Sequence, residues 1–144
     1  MSRGDAAVAA ARGWIGTPYR HQASLRGGGA DCLGLLRGVW RELYGAEPVA
    51  VPAYTPDWAE PGGDEVLWQA ARYWLVERPR ETLAWPGDVL LFRMRAGGIA
   101  KHLGLAGAVG GHPTFIHAYS GHGVVESPLT APWARRIVAR FAFP

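Results

Sequence analysis

Among its 144 residues the chain has one cysteine, Cys32, so no internal disulfide can form and the fold requires no oxidising compartment. It also lacks any run of basic residues interleaved with aromatics. The basic residues are scattered, and only Arg135 and Arg136 stand side by side near the end. A formal charge of +3 and a pI near 9.4 favour approach to anionic surfaces such as cell wall or nucleic acid. Without a basic stripe, direct nucleic-acid binding is not expected. Long apolar runs are missing too. Residues 1–11 are too short and too weakly hydrophobic for a signal peptide or a membrane span, so synthesis in the cytoplasm without membrane insertion is expected. There is no internal repeat and no low-complexity tract.

Zinc-type ligand pairs are lacking as well. The one close pair, His117 and His122, has an unhelpful spacing, and no metal is expected. Gly27-Gly28-Gly29 has no Lys-Ser/Thr ending and no preceding strand, which argues against a phosphate loop. What is present is an ordinary globular composition, 49% hydrophobic and 19% charged, sized for a single domain over 1–144. The seven tryptophans are expected mostly to fill the core.

Helices come first along the chain. Asp5 can cap a short helix, 6–12, that Gly13 ends. Residues 14–22, with Gly16 and Pro18, read as irregular. Cys32, Leu35, Leu36, Val39, Trp40 and Leu43 then fall on one helical stripe, with Asp31 at the N-cap position and Gly45 as the stop. Residues 48–63 are rich in Pro and Gly and read as a surface loop. Asp64 can cap a second long helix, with Leu67, Ala71, Trp74 and Leu75 on one face, ending before Pro79.

From Trp85 the pattern turns to strands. Pro86-Gly87-Asp88 is a turn, and strands are expected over 89–94, 102–109, 114–119, 124–127 and 136–143, separated by Gly-rich turns. Helices followed by a meander indicate an α+β domain, N-terminal helices packed on an antiparallel sheet of about five to six strands.

Cys32 is the first candidate for chemistry. At a helix start the unsatisfied N–H groups and the positive dipole end lower a thiol pKa and can also hold an oxyanion. A free cysteine is equally at home as an inert core residue, and the residues alone leave both readings open. A nucleophilic cysteine needs a base, and the base an orienting group. His102 opens a strand after a Gly-rich turn, and Phe115, His117 and Tyr119 share one face by alternation, so neighbouring strands would bring His102 and His117 together beside the helix of Cys32. His112 and His122 lie in Gly-rich turns as solvated residues. His21 sits in a loop that can edge the site. Tyr19 can donate a hydrogen bond into the site or simply pack, and Asp31 can bind a substrate amine or simply cap its helix.

Gly16-Thr17-Pro18-Tyr19, Gly27-Gly28 and Asp31-Cys32-Leu33-Gly34-Leu35 resemble the N-terminal signature of NlpC/p60 cysteine peptidases. Trp85-Pro86-Gly87-Asp88-Val89-Leu90-Leu91-Phe92 resembles the family's Pro-Gly-Asp turn and first core strand. Lys101-His102-Leu103-Gly104-Leu105 and Phe115-Ile116-His117-Ala118 resemble the strands of its base and third polar residue. The resemblance spans nearly the whole chain. It implies a papain-like fold, no cofactor, Cys32 as nucleophile, His102 as base, His117 as orienting residue, Tyr19 with the Cys32 N–H at the oxyanion, and Asp31 on a substrate amine. It also implies hydrolysis of peptidoglycan stem peptides, commonly between D-glutamate and a diamino acid such as diaminopimelate.

Two features depart from the pattern: Leu33 stands where the family usually has Ser, and residues 48–81 form an insert longer than the simplest members need. The missing export signal and wall-binding domain resemble small members carried on tails of phages or gene transfer particles. Partnership with tail or baseplate proteins and action in the target cell's periplasm are therefore expected. The rival readings are a non-catalytic tail or wall-binding component of the same fold, a Cys–His amidase or acyltransferase, and a cytosolic wall-recycling peptidase.

Overall fold

The computed structural model describes residues 2–48, 54, 63–80 and 84–144. The first helix, α1 (Arg3–Arg12), starts earlier than the sequence pattern suggests, because Ser2 rather than Asp5 is its cap. Ser2 Oγ accepts the Asp5 N–H at 3.0 Å and the Asp5 carboxylate takes the Ser2 N–H at 3.3 Å, a reciprocal capping box. Residues 14–22 are irregular as expected. They lead into a short hairpin, β1 (Ser24–Leu25) and β2 (Gly29–Ala30), whose turn holds Gly27 at φ +79°.

Helix α2 (Cys32–Tyr44) matches the apolar stripe, with Asp31 capping it and Gly45 ending it at φ +90°. Glycine is required inside this helix by close packing. A Cβ at Gly34 would lie 1.8 Å from the Ala23 carbonyl oxygen, and one at Gly38 would lie 2.0 Å from the Trp14 ring. The expected loop over 48–63 lies largely outside the described residues.

Helix α3 (Val66–Trp74) has Glu65, not Asp64, at its N-cap, and no side chain caps it. Glu65 instead accepts the Ala100 N–H at 2.7 Å and pairs with Arg93 at 3.3 Å, fastening the helix start to the sheet. Leu67, Ala71 and Leu75 are buried as the stripe requires, whereas Trp74 falls at the edge of the stripe and is exposed. Burial of the tryptophans is the wider correction. Of those described, Trp14 alone is fully buried, Trp40, Trp68 and Trp133 are half-buried, and Trp74 and Trp85 are exposed.

Strands β3 (Val76–Arg78), β4 (Val89–Arg93), β5 (Ala100–Val109), β6 (His112–Tyr119), β7 (Gly123–Pro128) and β8 (Ile137–Ala142) form one antiparallel sheet in the order β3-β8-β4-β5-β6-β7. A one-turn helix, α4 (Ala131–Ala134), precedes β8. The meander from β4 to β7 is as expected. Strand β3 and the return of β8 to the far side of β4 are not, since neither leaves a local signal. The turn expected over 110–113 is tighter than that. Gly110 and Gly111, both at positive φ, make a two-residue hairpin, so β6 begins at His112.

Val89, Leu90, Leu91 and Phe92 of β4 are fully buried because the sheet is covered on both faces. Leu103, Leu105 and Ile116 pack with Leu35 and Val39 of α2 on one face. Leu90, Phe92, Ala106 and Phe115 form a smaller cluster on the other face, against Trp133.

Candidate active site

A cavity of about 140 Å³ opens where β4 and β6 end and β5 begins. The sheet contributes Met94, Lys101, His102, Ala118, Tyr119 and Ser120 to its wall, and the loops and the start of α2 contribute Tyr19, His21, Asp31, Cys32 and Tyr54. Residues from both faces of the sheet reach this one opening because it lies at the strand ends.

Cys32 is the first residue of α2 and its side chain is buried. Its thiol donates a long hydrogen bond, 3.9 Å, to the Lys101 carbonyl oxygen. A helix start was expected to lower this thiol's pKa, and the structure corrects that. Burial first, and the nearby Asp31 charge second, push it up to about 12, while the backbone N–H groups of Leu103, Leu33 and Cys32 itself act in the opposite sense without prevailing. The resting sulfur is a thiol, and its proton needs an acceptor during any attack.

His102 and His117 meet as the alternation suggests. β5 and β6 are antiparallel neighbours, and His102 Nε2 lies 2.8 Å from His117 Nδ1. They sit on the face shared with Phe92 and Phe115, not the face against α2. Gly104 lies between them on β5, where a Cβ would crowd the Phe115 ring at 3.1 Å and touch His117 Cβ at 3.4 Å. Burial and the neighbouring His117 hold His102 down to about 3, and burial with the His122 charge holds His117 down to about 4, so both rings are neutral at pH 7. His102 Nδ1 has no described partner. Cys32 and His102 share the cavity without a direct hydrogen bond, an arrangement common before a substrate tightens the site.

Asp31 is buried and its carboxylate accepts three hydrogen bonds. Oδ1 accepts the Gly34 N–H at 2.7 Å, while Oδ2 accepts the Gln22 N–H at 2.7 Å and the Tyr54 hydroxyl. His21 Nδ1 lies 3.7 Å from Oδ2, and its Nε2 hydrogen-bonds the Tyr54 carbonyl at 2.9 Å. Tyr19 is anchored by a bridge to Ala30. Burial, then the adjacent Cys32 and Asp31, raise its pKa and keep its hydroxyl a donor. His112 and His122 are exposed as expected, although His122 stacks on Tyr119 at a ring distance of 5.1 Å.

The sequence reading missed Tyr54, Ser127 and Trp133. Ser127 Oγ lies 3.0 Å from His117 Nε2, and the Trp133 ring lies 5.9 Å from that of His102 and 5.4 Å from that of His117. Strand alternation on β7 could have pointed to Ser127, but nothing in its local pattern singles it out. Among the described residues no group of three or more His, Cys, Asp or Glu side chains is arranged to hold a metal ion, and no helix is long and apolar enough to cross a membrane.

No family model matches the sequence, and the search of curated proteins found no match. Solved structures do resemble it. An NlpC/P60 family protein from Bacillus cereus superposes with a TM-score of 0.61 at 19% identity, over 95% of this chain and 39% of that one. A Staphylococcus aureus protein described as similar to lipoprotein, NLP/P60 family, gives 0.60 at 18% identity, over 97% of this chain and 41% of that one. The protein Ly7917 gives 0.58 at 16% identity, over 99% and 63%. The chain thus spans about two fifths of the length of the first two. Its α+β architecture, with helices against a six-stranded antiparallel sheet, is the fold of the NlpC/P60 proteins.

Proposed function

We propose that the chain is a cysteine peptidase that hydrolyses peptidoglycan stem peptides, with Cys32 as nucleophile and His102 as base. The observation that carries this reading is the shared cavity. A cysteine at a helix N-terminus and a neutral imidazole backed by a second imidazole line the same opening. His102 takes the thiol proton as the sulfur attacks a carbonyl carbon, and the Cys32 N–H with the Tyr19 hydroxyl stabilises the oxyanion. Collapse returns the proton to the departing amine and leaves a thioester, which a water deprotonated by His102 hydrolyses. His117 orients His102, while Asp31 and His21 give the cavity wall an anionic and polar character suited to a substrate's free amine. The bond between D-glutamate and diaminopimelate as the one cut rests on the sequence resemblance. So does carriage on the tail of a phage-like particle beside tail or baseplate proteins, and probing purified particles for the chain tests it.

A second reading, a non-catalytic component of the same fold, draws on one observation: the Cys32 thiol is buried, held at about 12, and bonded to a carbonyl instead of to His102. One experiment separates the two. Peptidoglycan fragments are incubated with the native chain and with Cys32→Ala, and the products are read by mass spectrometry. The peptidase reading expects a defined new terminus with the native chain alone. Fragments left intact by both would favour the second reading.

A further inference from the structure

Behind the cavity the hydrogen bonds continue. His102 Nε2 lies 2.8 Å from His117 Nδ1, and His117 Nε2 lies 3.0 Å from Ser127 Oγ on β7. The pairings Phe115 with Ser127 and His117 with Val125 put Ser127 on the face that carries the histidine. Of the other rings around His117, Phe115 at 4.1 Å and Trp133 at 5.4 Å carry no comparable acceptor, and Tyr119 at 5.4 Å packs against it, while the side-chain hydrogen bonds of His117 run to His102 and Ser127.

The number of protons decides which direction of this row leaves a base. A neutral imidazole carries one N–H. If His102 takes a proton from Cys32, both of its nitrogens carry hydrogen, and its Nε2–H must point at an acceptor. His117 Nδ1 accepts only when bare, which puts the His117 proton on Nε2, facing Ser127. The opposite direction, with the hydroxyl donating to Nε2, places the His117 proton on Nδ1 and the His102 proton on its cavity nitrogen, where no base is left. A carboxylate or carboxamide oxygen in the place of His117 would accept without a choice of tautomer. A histidine there needs a partner able to accept its Nε2–H.

We propose that Ser127 is a positioning residue for the reaction. Its hydroxyl accepts the His117 Nε2–H, so that the tautomer whose Nδ1 receives His102 Nε2–H leaves no N–H unpaired behind it, and His102 Nδ1 is left bare for the thiol proton. This deepens the peptidase reading and rests on it for its role in catalysis, whereas the tautomer itself can be observed without substrate.

Long-range proton–nitrogen NMR of the 15N-labelled chain at pH 7 tests it. The expected result is a protonated Nε2 and a bare Nδ1 at His117 in the native chain and in Ser127→Thr, and a mixture of tautomers in Ser127→Ala. Alkylation of Cys32 by iodoacetamide should slow roughly tenfold in Ser127→Ala and recover in Ser127→Thr, the effect of one hydrogen bond supporting a charged ring. A native spectrum with the His117 proton on Nδ1 overturns the proposal whether or not the alanine variant folds. So does a Ser127→Ala spectrum identical to the native one. A chain that leaves peptidoglycan uncut yet shows the Ser127-dependent tautomer would refute the peptidase reading and leave this assignment standing.

Discussion

The polar groups on the two sides of Cys32 are held in different ways. On the loop side the Asp31 carboxylate is gripped by backbone N–H groups of Gln22 and Gly34 and by the Tyr54 hydroxyl. A backbone N–H can only donate, so the role of the carboxylate is set by the chain trace. On the sheet side His102, His117 and Ser127 hold one another. Every member there can donate or accept, so the direction of the whole row decides what any one of them can do. The loop side is therefore fixed by geometry alone, and the sheet side by geometry together with the placement of protons.

The sheet side is broken most sharply by His102→Ala. On the proposed peptidase reading, rates on stem-peptide fragments should fall by about 10²–10⁴-fold, the usual contribution of a positioned base, with the fold retained. Acid weakens the same side through stability. His102 and His117 are held at about 3 and about 4, against an ordinary value of 6.5. Below about 6.5 the unfolded chain binds protons that the folded chain does not. The stability these neutral rings carry is present above that pH and is lost progressively as pH falls, toward about 4 for His117 and about 3 for His102. Urea unfolding should show a loss of the order of 3 kcal/mol between pH 7 and pH 5, and His117→Asn should flatten the slope.

The loop side is tested by Asp31→Ala, which removes the helix cap and strands the Gln22 N–H and the Tyr54 hydroxyl. A loss of about 2 kcal/mol in urea unfolding is expected, with little change in its slope between pH 7 and 5. Asp31→Asn, which keeps one oxygen on the cap, should cost about half of that. Equal pH slopes in the Asp31 and His117 variants would erase the distinction between the two sides.

Much of this arrangement is legible in the chain itself, unevenly. Asp31, Cys32 and the stripe through Leu43 define a capped amphipathic helix using contacts no more than four residues apart, and the structure has that helix at those bounds. The meeting of His102 and His117 could be read only on the condition that their strands are neighbours, which the Gly110-Gly111 hairpin supplies. Ser127 and Tyr54 were not legible. A serine in a strand and a tyrosine in a Pro-rich stretch are common, and each acquires meaning from a partner 10 or 23 residues away. The same limit explains Trp74 and Trp85, which size and apolarity assign to the core and the fold leaves exposed.

By itself, then, the sequence determined the helix that starts at Cys32, the strand meander and the residue types that meet at its end, because caps, turns and alternation act over a few residues. Only the tertiary structure decided that β8 returns beside β4, that Ser127 completes the histidine row, and that the Cys32 thiol rests protonated. Non-local strand pairing and desolvation depend on what the rest of the chain places nearby, and no local pattern carries that information.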